Sequence, residues 1–121
     1  MKILFVWILH GVKAFRYSIQ GLRIAFRDEV AIRQEWVLAI PHFAAIVLLP
    51  ISLPLRLYLA ALWFVLLAIE LLNTAVEAVV NLVSPEQHPL AGKAKDCGSA
   101  AVFCMLMLIG LSWILVVAKL I

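Results

Sequence analysis

Charge is scarce in this sequence. Asp, Glu, Lys and Arg make up 14% of its 121 residues, 66% are apolar, and the mean hydropathy is +1.11. A soluble domain of this length needs far more polar surface, which leaves an integral membrane protein. Cysteine is nearly absent. Cys97 and Cys104 lie seven positions apart, about 10 Å of helical rise, too far for a disulfide within the chain. Both read as small apolar packing residues. There is no Gly-x4-Gly-Lys-Ser/Thr loop and no paired glycine-rich turn, so no soluble nucleotide-binding signature is present. No heptad or Gly-x3-Gly pattern specifies an oligomer. The opening "MKILFVWILHGVKAF" mimics a signal peptide but lacks a small-x-small cleavage site and is expected to be retained. Nor is there room for a separate catalytic domain, so any chemistry must come from membrane helices and their flanks.

What the chain does have is helical patterning. In "VKAFRYSIQGLRIAFR", residues 12–27, Val12, Phe15, Ile19, Leu22 and Phe26 share one face and Lys13, Arg16, Gln20, Arg23 and Arg27 the adjoining one. This predicts an N-terminal amphipathic helix on the membrane surface, within residues 1–28. Three spans follow, at about residues 29–49, 55–83 and 96–119, with a polar loop at 84–95 and "PISLP" as the turn between the first two. Pro41 and His42 are expected to interrupt the first span. His42 reads as a water-exposed or backbone-bonded histidine. The fold class is therefore all-α: a surface helix plus three transmembrane helices in a single membrane domain.

Basic residues set the orientation. Lys2, Lys13, Arg16, Arg23, Arg27, Arg33, Lys93 and Lys95 fall on one side of this topology, and Arg56 and Lys119 on the other. The positive-inside rule places the N-terminus and the 84–95 loop in the cytoplasm and the C-terminus outside. An anionic bilayer surface, not nucleic acid, is the partner for the basic flank.

The run "IELLNTAVEAVV", residues 69–80, carries Glu70, Asn73 and Glu77 at spacings of three and four. On a helix these fall within roughly 60° of one another, forming one polar stripe. Counting about 1.5 Å per residue from Leu57 at the outer boundary, Glu70 lies roughly 10 Å inside the cytoplasmic edge of a 30 Å core. Glu77 then reaches headgroup level. A carboxylate at Glu70's depth costs about 2.5–3.5 kcal/mol on insertion scales, so it must face protein, water or a cation. Glu29, Arg33, Gln34 and Glu35 open the first span, and Lys95 and Asp96 the third, at the same level. Carboxylates that hold Mg²⁺, cations that neutralise phosphate and a carboxylate that accepts a hydroxyl proton suit phosphoryl transfer.

From Lys13 to Trp113 the sequence resembles the small prokaryotic integral-membrane diacylglycerol kinases. The likeness is carried by "YSIQGLRIAFRDEVAIRQE", "IELLNTAVEAVV" and "GKAKDCGSAAV". It departs at His10, where an arginine is expected. The resemblance implies a homotrimer, with sites shared between subunits, that transfers the γ-phosphate of MgATP to diacylglycerol. It further implies Glu70 as general base and Glu29 and Glu77 as Mg²⁺ ligands. Lys13, Tyr17, Glu86, His88, Lys95 and Asp96 would join those ligands around the nucleotide. Ser18, Arg23, Gln34, Glu35 and Asn73 would join Glu70 around the lipid.

Other readings compete. An undecaprenol kinase would share these motifs. A non-catalytic small membrane protein would use the carboxylates to hold helices together. A cation transporter would need the stripe to continue outward, yet residues 57–69 hold no acidic or amide residue.

Overall fold

The computed structural model describes residues 2–84, 86 and 88–119. The described residues form four helices: α1 (Lys2–Asp28), α2 (Val30–Leu48), α3 (Leu53–Val83) and α4 (Pro89–Val117). The last three are each long and apolar enough to cross a membrane, and the expected helix-plus-three-spans architecture holds. At about 1.5 Å per residue, the 19 residues of α2 make roughly 28 Å, close to one hydrocarbon thickness. The 31 residues of α3 and 29 of α4 exceed it by about 15 Å. Both must therefore tilt or extend past the apolar layer.

α3 is the hub, packing along α4 and against α2, while α1 touches α2 and α3. The inner seam is made by Leu59, Leu62, Trp63 and Leu66 of α3, met by Ala39 and Ile46 of α2 and Ile109 and Val116 of α4. The outer faces carry large apolar side chains such as Val37, Phe64, Leu72, Phe103 and Leu111. That inversion suits hydrocarbon solvent, where apolar side chains gain little by leaving lipid.

Several boundaries differ from expectation. α1 extends back to Lys2 rather than starting near residue 12. Pro41 lies inside an unbroken α2; its missing N–H deprives only the Val37 carbonyl of its usual partner. Pro54 sits in the first turn of α3, after the N-cap Ser52, where no N–H is needed. α4 starts at Pro89, so most of the predicted 84–95 loop is helix and the connection narrows to the residues around Glu86. Cys97 and Cys104 are both free, as their spacing requires, but exposed on α4 instead of packed.

Two arginines finish helices that end without glycine caps. Arg33 Nη1 donates to the carbonyls of Phe26 (3.3 Å) and Arg27 (2.6 Å) at the end of α1. Arg56 reaches back from α3 to the carbonyls of Val47 (3.2 Å), in the last turn of α2, and of Leu49 (3.0 Å) and Ile51 (3.1 Å), beyond its end. Each cation meets the partial negative charge of a helix C-terminus and satisfies carbonyls the helix leaves open. The α1 end is further fixed by Arg27, whose guanidinium grips Asp28 in two hydrogen bonds (2.6 and 2.9 Å) and holds its exposed carboxyl below the usual range.

His42 is the backbone-bonded alternative, and it is buried. Trp113 Nε1 donates to its Nδ1 at 3.0 Å, and its Nε2 lies 3.3 Å from the Leu59 carbonyl. The indole can only donate, so Nδ1 carries no proton and Nε2–H is the donor to Leu59. One neutral imidazole thus links α2, α3 and α4. Replacing His42 by Phe should lower the thermal midpoint in detergent, because the Trp113 N–H is left unpaired in an apolar interior at about 1–3 kcal/mol. The double variant His42→Phe, Trp113→Phe should regain much of the loss; no recovery would show the hydrogen bond to be incidental.

Candidate active site

The polar stripe of α3 opens onto a cleft of about 320 Å³ whose polar lining comes from Glu29, Glu70, Asn73, Thr74, Glu77 and Ser99. Three segments build it. Glu29 is the single extended residue between α1 and α2 (φ −100°, ψ 121°), and its side chain makes no capping hydrogen bond, so the carboxylate remains free for the cleft. Helical spacing puts Glu70, Asn73 and Glu77 on one face of α3. Ser99 comes from α4.

Glu70 is 5% exposed, and its Oε2 is buried without a hydrogen-bond partner, as is Asn73 Oδ1. Asn73 Nδ2 donates to Glu77 Oε1 at 3.2 Å, which aims that carboxylate. Glu77 and Glu29 both lie close enough to act on the Glu70 charge. Three mutually repelling acids in one cleft, with orphaned acceptor oxygens beside them, make a site that favours cations and donors. Asn73 also lies flat against α4 at Gly98. A Cβ there would come within 3.1 Å of Asn73 Cγ and closer still to Oδ1, so the glycine is required by close approach.

A second cleft, of about 510 Å³, lies one step along α3 toward the α3–α4 connection. Asn81, Ser84, Glu86, His88, Gly92 and Lys95 line it. His88 is the N-cap of α4; its Nδ1 accepts the Leu90 N–H at 3.2 Å, which leaves Nε2 as the free ring nitrogen. Lys95 Nζ donates to Asn81 Oδ1 at 2.7 Å. Three of the expected nucleotide residues, Glu86, His88 and Lys95, are therefore together, and Glu29, Glu70, Asn73 and Glu77 are together in the neighbouring cleft.

The remaining expected residues lie elsewhere in the single chain. Glu35 is buried, with Oε2 unpartnered, beside an apolar cavity of about 170 Å³ lined by Trp36, Phe43, Trp63 and Phe64. Gln34 lines an open groove on the outside of α2 with Val30, Arg33, Val37 and Leu38. Asp96 is exposed, as are Lys13, Tyr17, Ser18 and Arg23 along α1; Ser18 Oγ donates to the Ala14 carbonyl of its own helix at 3.0 Å. Sequence reasoning missed Thr74, Ser99, Gly98 and Asn81. Asn81 was open to inference, since it continues the stripe four residues beyond Glu77.

Among the described residues no three His, Cys, Asp or Glu side chains form a ready metal cage. Mg²⁺ does not demand one, because it is commonly held by one or two carboxylates together with substrate phosphates. The pair Glu29 and Glu77 fits that habit.

Fold and cleft define a helical membrane protein with an acidic, cation-seeking site at the end of the bundle where α1 meets α2 and α3. The family model for prokaryotic diacylglycerol kinase matches residues 16–117, and the chain belongs to that family. Relatives named diacylglycerol kinase include one from Pseudomonas aeruginosa, 42% identical over 102 residues, covering 84% of this chain and 83% of the relative. One from Haemophilus influenzae is 38% identical over 113 residues, covering 88% and 90%. A third, from Escherichia coli K12, is 37% identical over 102 residues and covers 84% of each chain. The chain is thus an enzyme of a kinase family, set in a membrane.

Proposed function

We propose that this protein phosphorylates diacylglycerol with ATP, giving phosphatidic acid and ADP at the cytoplasmic face of a bacterial inner membrane. The observation that carries the proposal is the juxtaposition of the two clefts. One presents a buried carboxylate with an unpartnered oxygen, Glu70, on a stripe that runs from within the apolar layer out to headgroup level at Glu77. The next presents a lysine, a histidine N-cap and a carboxylate where α3 and α4 emerge.

In this reading Glu70 accepts the proton of the lipid's primary hydroxyl as that oxygen attacks the γ-phosphorus. The bond from γ-phosphorus to its bridging oxygen breaks, and ADP departs with the electron pair. Asn73 steadies Glu77, while Lys95 offsets charge on the phosphate oxygens; Glu86 and His88 edge the nucleotide. Mg²⁺ carried by ATP and held by Glu29 and Glu77 would screen the phosphates and favour attack by a neutral hydroxyl oxygen. The orientation follows the basic flank and α3–α4 connection. A homotrimer would let α1 residues Lys13, Tyr17, Ser18 and Arg23, with Gln34 and Asp96, complete the site across subunit boundaries, whereas buried Glu35 would act only within its own bundle.

The test is direct. Purified protein in mixed micelles with labelled ATP and Mg²⁺ should transfer label to diacylglycerol, and chelation of Mg²⁺ should stop it. Preferential labelling of undecaprenol would reassign the substrate, and no lipid labelling at all would refute the kinase reading.

A further inference from the structure

We infer that Asn81 is a positioning residue for the nucleotide, acting through Lys95. The inference rests on the kinase reading above and extends it to a residue outside the Glu70–Asn73–Glu77 set. Lys95 is half-buried on the second turn of α4, and Asn81 lies on the last turns of α3. Their 2.7 Å hydrogen bond joins residues 14 positions apart, both of which line the 510 Å³ cleft.

A lysine side chain is flexible, and holding its ammonium at one place carries a substantial rotamer-entropy cost. Asn81 meets that cost before the ligand arrives. The ammonium gives one N–H to Oδ1 and keeps two for phosphate oxygens. Because the tether is a neutral amide, the positive charge of Lys95 is not cancelled. Geometry also fixes the amide: Oδ1 accepts from Lys95, so Nδ2 is left as an unused donor at the same cleft. Together with His88 Nε2, which the N-cap hydrogen bond leaves free, the cleft offers convergent donors to an anionic polyphosphate.

The experiment measures lipid phosphorylation against MgATP concentration, with equilibrium MgATP binding in parallel. It uses wild type, Asn81→Ala, Asn81→Asp, Lys95→Ala and the Asn81→Ala, Lys95→Ala pair. Loss of the tether in Asn81→Ala should raise KM for MgATP about three- to tenfold, as expected for a solvent-exposed hydrogen bond to a charged group. The values of kcat and KM for diacylglycerol should stay within about twofold, since those reactants do not meet Asn81. Asn81→Asp still holds Nζ but cancels the charge that attracts phosphate and removes the Nδ2 donor, so it should raise KM for MgATP at least as far as Asn81→Ala. In the Lys95→Ala background, Asn81→Ala should weaken MgATP binding no further, the mark of a residue acting through its partner.

An unchanged KM for MgATP in Asn81→Ala overturns the inference while leaving the kinase reading intact. So does an Asn81→Asp protein with wild-type affinity for MgATP, or a full Asn81→Ala effect without Lys95. A parallel fall in kcat and thermal midpoint with KM unmoved would assign Asn81 to folding instead. A wild type that neither binds MgATP nor labels lipid overturns the kinase reading and this inference together.

Discussion

Glu70→Gln should fold, insert and melt at or above the wild-type temperature, yet lose about 10²–10⁴-fold in kcat for lipid phosphorylation, the range removed with a positioned general base. The two side chains have nearly the same shape, so the seam around Glu70, where Leu66 is fully buried one turn away, need not move. What changes is charge. Glu70 shares its cleft with the carboxylates of Glu29 and Glu77, and like charges in one cleft repel. Removing one negative charge relieves that repulsion, and the glutamine N–H₂ can serve the orphaned Asn73 Oδ1. Stability is therefore expected to hold or rise while function falls, as at sites whose strain serves chemistry. KM for MgATP should change little, because Lys95 and His88 belong to the next cleft. A Glu70→Gln enzyme keeping more than about a tenth of wild-type kcat would remove Glu70 as the base.

The site is small because the bundle lends it rigidity from three directions. Glu29 comes from the break between α1 and α2, the stripe from α3, and Ser99 and Gly98 from α4. The same α3 that holds Glu70 is pinned toward the opposite end by the His42–Leu59 and His42–Trp113 hydrogen bonds. Arg56 anchors the α2–α3 turn beyond them. An ionisable stripe in an apolar layer is tolerable only if its surroundings stay put, since an acid turned toward hydrocarbon costs several kcal/mol.

Period-based features were legible in the sequence, and direction-based ones were not. Spacings of three and four gave the stripe, and apolar runs gave three spans, because both depend only on the helical repeat. The start of α4 was hidden. "AGKAKD" reads as a polar loop by composition, although Pro89 after a histidine is also a competent helix start. The break in α2 expected at Pro41 did not form, since a helix packed along α3 can absorb one lost hydrogen bond. Glu29 and Glu35 were grouped by depth, yet Glu29 is the extended residue before α2 and lines the Glu70 cleft, whereas Glu35 lies within α2 beside the apolar cavity. Lys95 and Asp96, neighbours on one helix, differ by about 100° of turn. One binds Asn81 while the other is exposed.

Adding a single methyl group at Gly98 should do almost as much damage as removing the base, by a different route. In Gly98→Ala the new Cβ overlaps Asn73 Oδ1 and crowds Cγ at 3.1 Å. Asn73 must turn away, and with it goes the hydrogen bond that aims Glu77. Overpacking of this kind costs about 1–3 kcal/mol, seen as a lower thermal midpoint, and the misaimed carboxylate should cost about 10²-fold in kcat. The second change Asn73→Ala separates the two losses. Asn73 Cβ lies 3.8 Å from the added methyl, an ordinary contact, so the double variant should recover its thermal midpoint. It should not recover activity, because nothing then orients Glu77. Full stability in Gly98→Ala alone would show that α3 and α4 separate easily at this point, and the cleft could not then owe its shape to the glycine.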